Sequence, residues 1–143
     1  MPYPEPLIVP MREDLTKFGV TETRTAADVD NVISGSGTVL MITNSVCGCA
    51  AGKARPAVGM ALQNPVRPDL TATVFAGADV AAVARLRQQH LHGVPPSSPS
   101  MALFRDGKVV WALHRFEIES RQAPEIAALL TDAFDRFCAK ASA

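Results

Sequence analysis

The stretch Thr38-Val-Leu-Met-Ile-Thr-Asn-Ser-Val-Cys-Gly-Cys49 decides the fold, because an apolar segment leads almost directly into two thiols one glycine apart. Thr38 to Thr43 is a continuous β-branched and apolar run, which predicts a strand that is buried on both faces. We take it as the central strand of a sheet. The residues from Ala50 to about Gln63 are typical of a helix, so the thiols lie where this strand passes into a helix.

Cys47 and Cys49, separated by Gly48, indicate thiol redox chemistry. A helix N-terminus offers unpaired N–H donors and the positive end of the helix dipole, which favour a thiolate at Cys47. The thiolate is the nucleophilic form of cysteine, and Gly48 allows the tight turn that brings two nearby sulfurs together. The alternative is that both are small buried hydrophobes, as most free cysteines are. We predict Cys47 as the nucleophile and Cys49, inside the first helical turn, as the resolving thiol.

Beyond the cysteines, the chain alternates strand and helix patterns and then closes with a hairpin and a helix. Pro56 should kink the first of these helices, because its ring removes an N–H and clashes one turn back. The dipeptide Asp106-Gly107 is a strong hairpin signal. The expected elements are a strand over Thr71 to Ala76, a helix capped by Asp79, hairpin strands over Met101 to Arg105 and Lys108 to Leu113, and a closing helix from about Ala123.

Two short helices are expected ahead of the central strand. Met11 to Phe18 follows Pro10 and is typical of a short helix that packs as an N-terminal arm. Thr25 is positioned to cap a second helix from Ala26 to Ser34. All these elements together predict an α/β fold of thioredoxin-like architecture, with a four-stranded mixed sheet, two parallel strands, an antiparallel hairpin and helices on both faces. We expect a single domain over residues 1–143 with an N-terminal helical arm.

The composition argues against several classes of protein. Lys plus Arg and Asp plus Glu are balanced at 14 each, so the chain has no electrostatic footprint for nucleic acid or an acidic membrane. Three cysteines are too few, and odd in number, for a disulfide-stapled secreted scaffold. With no signal peptide or membrane span apparent, we expect a cytoplasmic protein whose partners are small thiols or proteins. No cofactor is expected, and no metal unless a dimer completes the site, since zinc normally needs four ligands and C-x-C supplies two.

The residues around the cysteines resemble one family closely. Asn44-Ser-Val-Cys-Gly-Cys-Ala-Ala-Gly52 and the following Ala54-Arg-Pro-Ala57 are similar to the signature of the bacilliredoxin family, thioredoxin-like proteins with a C-G-C site. Ser98-Pro99 before the hairpin, and Arg115 with Glu117-Ile-Glu119 after it, also fit the family. The resemblance covers nearly the whole chain. It implies removal of bacillithiol from proteins that carry it as a mixed disulfide, with a modest disulfide reductase or isomerase activity.

The resemblance also implies where the substrate lies. In a thioredoxin-like sheet, the proline just before the antiparallel hairpin lies opposite the cysteines with a cis peptide bond, and Pro99 has that placement. Ser98 would then offer backbone groups to a substrate chain, much as an edge strand does. The residues expected to line the substrate site are Asn44, Ser45, Gly48, Ser98, Pro99 and Arg55.

Two basic residues near the cysteines are candidates for carboxylate binding. Arg55 and Lys53 are placed to hold the carboxylates on the malate portion of bacillithiol, a group that suits guanidinium geometry. The usual alternative for such charges is a solvated helix face. Cys138, at the edge of the apolar stripe of the closing helix, is expected to pack rather than react.

The chain departs from related proteins at two places that bear on the chemistry. The family often shows Pro-Arg-His-Glu-Ile-Glu-Gly after the hairpin, whereas this chain reads His114-Arg-Phe-Glu-Ile-Glu-Ser120, so we assign that region no catalytic role. Thioredoxins commonly carry a buried acid six residues before the first cysteine, where this chain has Met41. Cys49 therefore has no obvious internal base, and slow reductase and isomerase turnover is expected.

Three functions are compatible with these observations. The leading one is an oxidoreductase acting on bacillithiol mixed disulfides, which would carry bacillithiol on Cys47. A general disulfide isomerase or reductase of low activity would instead trap protein chains there. A non-catalytic redox-sensing or metal-binding partner protein would hold metal and show no exchange.

Overall fold

Five strands form one mixed sheet at the centre of the fold. The structure is a computed structural model that describes residues 2–139, so position 1 and positions 140–143 of the expected domain lie outside the described residues. The sheet has the order β1-β3-β2-β4-β5, and β2 pairs parallel with β3 and antiparallel with β4. The strands are β1 (Thr21–Glu22), β2 (Thr38–Asn44), β3 (Leu70–Phe75), β4 (Ser100–Arg105) and β5 (Lys108–Leu113).

Helices cover both faces of this sheet, as predicted. They are α1 (Glu5–Thr16), α2 (Ala26–Ile33), α3 (Arg55–Ala61), α4 (Val80–Arg85), α5 (Arg115–Glu119) and α6 (Ala123–Phe137), with π-helical turns over Ala50–Ala54 and Leu86–His90. All residues of β2 are buried, and they alternate between the two cores. Leu40 and Ile42 pack in the core that α3 and α6 cover, whereas Val39 and Met41 pack in the core that α2 and α4 cover. Within residues 2–139, no helix combines the length and apolar character needed to cross a membrane.

Several predicted elements are confirmed. The central strand, the second helix with its Thr25 cap, the closing helix and both hairpin strands lie within one residue of their predicted bounds. Asp106 (φ 51°) and Gly107 (φ 84°) form the tight hairpin turn between β4 and β5. The Ser98–Pro99 peptide bond is cis, as expected. Cys138 is buried in the core at the end of α6, and burial raises the pKa of its thiol.

The sheet has one strand more than the four predicted. β1 consists of Thr21 and Glu22 alone, which pair in parallel with Ala72 and Thr73 of β3 at the edge of the sheet. Two residues are too few to show the alternation of apolar and polar positions that marks a strand in a sequence. The short strand extends the sheet on the side away from the hairpin.

The N-terminal helix begins earlier than predicted. α1 starts at Glu5 and continues through Pro10, which we expected to precede the helix. Pro10 lacks the N–H that would bond the carbonyl of Pro6, one turn earlier. Both prolines are exposed, so solvent can satisfy that carbonyl and the helix passes through.

The helix after the cysteines accommodates Pro56 through a wider turn. Residues Ala50–Ala54 form a π-helical turn in which the N–H of Arg55 bonds the carbonyl of Ala50, five residues earlier. Pro56 then lies in the first turn of α3, directly after this wider turn. α3 ends at Ala61, two residues before the predicted end.

Asp79 occupies the predicted N-cap position of α4, but its side chain does not cap the helix. The carboxylate instead accepts two hydrogen bonds from Arg12, of 3.0 and 2.7 Å, and a third from the N–H of Phe75. A bidentate guanidinium–carboxylate pair joins two opposite charges through two hydrogen bonds, whereas a cap bond joins the carboxylate to an uncharged backbone N–H. The predicted N-cap position of Asp79 is therefore confirmed, whereas the prediction that its side chain caps the helix is wrong.

Arg12 fastens α1 to the rest of the fold. Its guanidinium is buried and binds Glu5 and Glu22 as well as Asp79, while its Cζ lies 5.3 Å from the centroid of the Phe75 ring. The hydrogen bonding that Arg12 donates to Asp79 is the largest cause that raises the pKa of Arg12. The N-terminal arm is thus held at the edge of the sheet where β2 and β3 end.

Candidate active site

The two cysteines lie just beyond the C-terminal end of β2. Asn44 is the last residue of that strand, and its amide oxygen accepts the Ser45 N–H at 2.8 Å, while its amide nitrogen donates to the Met11 carbonyl. Ser45 Oγ in turn accepts the Cys47 N–H at 2.9 Å. This chain of hydrogen bonds holds the reactive loop between α1 and β2. Asn44 and Ser45 are themselves buried, so both position the loop.

Cys47 is surrounded by hydrogen-bond donors that favour its thiolate. The Cys49 N–H lies 3.4 Å from Cys47 Sγ, and Arg115 Nη2 donates to the same sulfur at 3.3 Å. The Cys49 N–H is the largest cause that lowers the pKa of Cys47. The Cys49 thiol, the Arg115 charge and the Ala50 N–H act in the same direction, and burial opposes them. A thiolate at the start of the helix is the result that the motif predicts.

Cys49 differs from Cys47 in its surroundings. Burial is the largest cause that raises the pKa of Cys49, and its hydrogen bond to Cys47 and the charges of Cys47 and Glu119 add to the rise. The two thiols are therefore unequal, because the pKa of Cys47 is lowered and the pKa of Cys49 is raised. This inequality matches the nucleophile and resolving roles that the sequence suggests.

Arg115 is a site residue that the sequence analysis missed. Residues 114–120 were given no catalytic role, yet Arg115, the first residue of α5, lies against the Cys47 sulfur. Its Nη1 donates to the Ser98 carbonyl at 3.2 Å, and its Nε is hydrogen-bonded to Glu119. The available signal was the resemblance itself, because Arg115 and Glu119 match the family pattern where the neighbouring proline and histidine do not.

Ser98 and Pro99 lie on the other side of Cys47, in the loop that enters β4. Ser98 lines the pocket beside the Cys47 sulfur, and its carbonyl is the one that Arg115 binds. Pro99, the next residue, is buried. The loop and the cysteines are therefore brought together as the resemblance implies, with Arg115 as the bridge between them.

A pocket of about 410 Å³ opens beside Cys47. The described residues with polar side chains that line it are Tyr3, Ser45, Cys47, Arg87, Ser98 and Arg115, and no carboxylate of residues 2–139 lines it. Tyr3 is placed there by the arm, since its N–H bonds the Gly77 carbonyl at 3.0 Å. A Cβ on Gly77, which has φ +84°, would come within 2.6 Å of the Tyr3 ring, so glycine leaves room for this wall of the pocket. The pocket joins a reactive thiol to two cationic side chains.

The structure does not bring Arg55 to the reactive thiol. Its side chain is 3% exposed, pairs with Asp14 of α1 at 3.5 Å, and lines a different pocket, between α1 and α3. Its Nε and Nη1 have no hydrogen-bond partner among the described residues. Lys53 Nζ donates to the Glu119 carbonyl at 2.6 Å. The carboxylate-binding role that the sequence suggested for Arg55 does not fit this placement.

No metal centre accompanies the thiols in the part of the chain that the structure describes. Within residues 2–139, no group of three or more His, Cys, Asp or Glu side chains is arranged to hold a metal ion. His90, one of the three histidines, is hydrogen-bonded to Asp30 at 2.7 Å.

Sequence comparisons relate the chain to known proteins along most of its length. Residues 3–138 match the protein family described as disulphide isomerase. The chain is 50% identical over 137 residues to a bacilliredoxin of Koribacter versatilis, covering 95% of this chain and 94% of that protein. It is 49% identical over 140 residues to a bacilliredoxin of Salinibacter ruber (96% and 81%), and 44% identical over 138 residues to one of Bacillus licheniformis (95% of each).

Solved structures are similar in fold. Thioredoxin of Malassezia sympodialis matches with a TM-score of 0.59 at 14% identity, covering 84% of this chain and 91% of that one. Fasciola hepatica thioredoxin matches with a TM-score of 0.58 at 19% identity, covering 82% and 99%. At these identities the likeness concerns the fold alone, and it is the thioredoxin fold.

Proposed function

The chain belongs to the bacilliredoxin family of thiol–disulfide oxidoreductases, and from this premise we propose that it removes bacillithiol from protein mixed disulfides, with Cys47 as the nucleophile. The observation that carries the proposal is the environment of Cys47 Sγ. Two donors, the Cys49 N–H and Arg115 Nη2, lie 3.4 and 3.3 Å from this sulfur at the edge of an open pocket. A sulfur so placed is a thiolate at lower pH than a free cysteine and can reach a disulfide presented from solvent.

The first step is an attack of the Cys47 thiolate on the bacillithiol sulfur of the mixed disulfide. The sulfur–sulfur bond of the substrate breaks, and the substrate protein leaves as a thiolate that takes up a proton from solvent. Bacillithiol is then joined to Cys47 by a new disulfide bond. Arg115, which has stabilised the thiolate, also lies next to the Ser98 carbonyl and so orders the wall along which the substrate chain would lie.

The second step releases bacillithiol and requires Cys49 or an incoming thiol. If Cys49 attacks the Cys47 sulfur, bacillithiol departs as a thiolate, and the resulting Cys47–Cys49 disulfide must be reduced by an external dithiol or thiol reductant. Burial holds Cys49 protonated, and its proton must be removed before it attacks. This supports a slow intramolecular step and a protein that works as an acceptor of small thiols. A need for external reductant suits a reducing compartment such as the cytoplasm.

General disulfide isomerase or reductase activity is the second candidate, and the match of residues 3–138 to the disulphide isomerase family favours it. The two activities differ in which disulfide Cys47 attacks. The same reduced protein should therefore be offered a single-cysteine protein carrying bacillithiol and, separately, a protein with scrambled internal disulfides. Mass spectrometry follows loss of bacillithiol from the first, and recovered activity follows repair of the second.

We expect removal of bacillithiol to be the faster reaction by a wide margin. The Cys47→Ser variant should be inactive on both substrates and serves as the baseline. Faster repair of the scrambled protein than removal of bacillithiol would replace the proposal with the isomerase function.

A further inference from the structure

Two cationic side chains line the pocket beside Cys47, and one of them, Arg87, has no carboxylate partner among residues 2–139. Arg115 is engaged by Glu119, the Ser98 carbonyl and the Cys47 sulfur. Arg87 lines the same pocket from the π-helical turn that continues α4. Its one hydrogen bond runs from Nη2 to the Ser97 carbonyl at 3.5 Å, and within residues 2–139 no carboxylate lies within ion-pairing distance of it.

Two arginines elsewhere in the described chain have the carboxylate partners that Arg87 lacks. Arg85, two residues earlier on the same helix, is paired with Asp30 at 2.9 Å. Arg12 is enclosed by three carboxylates. Arg87 is half-buried, so its guanidinium is partly withdrawn from water, and the pocket that it lines holds a reactive thiol and no acid from residues 2–139. A partly desolvated guanidinium in such a place favours an anion with two oxygens, which it can bind in bidentate fashion.

We propose that Arg87 binds a carboxylate on the small-thiol half of the mixed disulfide while the sulfur of that thiol is exchanged at Cys47. The inference rests on the proposed function, because it requires a small thiol to be the group that Cys47 accepts. It assigns to Arg87 the carboxylate-binding role that the sequence suggested for Arg55.

The dimensions of the pocket agree with this assignment. A volume of about 410 Å³ lies within the range of small-ligand sites. Cys47 and Arg87 line the same space, and the N-terminal arm supplies Tyr3 to its lining. A small thiol with a carboxylate at some distance from its sulfur can therefore meet both groups at once, whereas an uncharged thiol meets only Cys47.

The test uses two small disulfides that differ in charge alone. They are 3,3′-dithiodipropionate and its diamide, which are nearly equal in size and carry two carboxylates and none. Each is mixed with the Cys49→Ser protein, in which the adduct on Cys47 cannot be resolved, at about 0.1 M salt to limit long-range attraction. Intact-protein mass spectrometry gives the two rates of adduct formation, and their ratio is the quantity compared.

We expect Arg87→Gln to lower the carboxylate-to-amide rate ratio by about tenfold, since charge-assisted hydrogen bonds are worth at least that factor, and to leave the diamide rate unchanged. Arg87→Lys should retain part of the ratio. Arg85→Gln is the matched control, because it removes one positive charge from the same helix outside the pocket, and it should keep the full ratio.

Three results would overturn the assignment. An unchanged ratio in Arg87→Gln would remove Arg87 from recognition, while the continuing reaction with the diamide would show that thiol exchange at Cys47 stands. An equal loss of both rates would mean that Arg87 acts on the Ser97 loop alone. If neither disulfide reacts with any variant, the exchange function fails and the carboxylate site fails with it.

Discussion

Arg115 Nη2 lies 3.3 Å from Cys47 Sγ, although the two residues are 68 positions apart in the chain. Cys47 follows the central strand, and Arg115 follows the hairpin that pairs with that strand, so the sheet itself brings them together. The contact places a permanent positive charge beside the reactive sulfur. It is the feature that most clearly separates this site from a thiol that relies on the start of a helix alone.

Replacing Arg115 by Gln should raise the pKa of Cys47, because a positive charge that favours the thiolate is lost. The Cys49 and Ala50 N–H groups remain, so the variant should keep part of the depression. The measurement is the rate of iodoacetamide alkylation of Cys47 against pH, in a Cys49→Ser background. The profile should move to higher pH and reach the same rate on its alkaline plateau.

Two further variants separate charge from structure in that experiment. Arg115→Lys keeps the positive charge, and its profile should lie between those of the parent protein and the Gln variant. Arg136→Gln removes an exposed charge from α6 and should leave the pH profile of Cys47 alkylation unchanged. A profile for Arg115→Gln that superimposes on the parent profile would show that the guanidinium does not stabilise the thiolate.

Replacing Arg12 by Met should destabilise the protein strongly, because Asp79 would be left as a buried carboxylate without its cation. Removing one partner of a buried pair costs about 3 to 5 kcal/mol in the free energy of unfolding. Urea denaturation measures the loss. Arg24→Gln is the control, since Arg24 pairs with Glu5 and Glu22 at the surface and should contribute less than about 1 kcal/mol. Equal effects of the two substitutions would mean that Arg12 does not fasten the arm.

Replacing Arg55 by Met should stabilise the protein, in contrast to the replacement of Arg12. The Arg55 guanidinium is buried, its Nε and Nη1 find no hydrogen-bond partner within residues 2–139, and burial is the main cause that lowers its pKa. An apolar side chain of similar length removes that cost, while Asp14 keeps access to water, so we expect the free energy of unfolding to rise by about 1 kcal/mol. Urea denaturation decides this too. A loss of several kcal/mol would show that the Arg55–Asp14 pair holds α1 against α3.

The parts of the fold that the sequence predicts well are those encoded by local patterns. The run from Thr38 to Thr43 is long and apolar enough to mark a central strand, and Asp106-Gly107 fixes a hairpin because its residues adopt positive φ readily. The C-G-C motif likewise predicts thiol redox chemistry from adjacent residues alone. These features require no knowledge of how distant segments pack.

The parts that the sequence does not predict depend on contacts between distant segments. Asp79 is a good N-cap by local rules, but Arg12 reaches it across 67 positions and takes its carboxylate. The sequence indicates a surface position for Arg55, whereas in the structure α1 packs over it. Arg87 and Arg115 both look like ordinary helix residues, and only the folded sheet turns them toward the Cys47 pocket. The two thiols are brought together by neighbouring residues. The charges that lower the pKa of Cys47 and that we propose select the small thiol are brought to the pocket by the fold.

The central claim is that Cys47 takes bacillithiol from a protein, and one measurement tests it most directly. Cys49→Ser and Cys47→Ser proteins are each incubated with a single-cysteine protein carrying bacillithiol, and intact-protein mass spectrometry records the bacillithiol adduct on each variant. We expect a stable adduct on Cys49→Ser, which lacks the resolving thiol, and none on Cys47→Ser. Cys138→Ser, which removes the buried third thiol, should exchange like the parent protein. An adduct on Cys47→Ser together with none on Cys49→Ser would contradict the account, because it would make Cys49 the nucleophile.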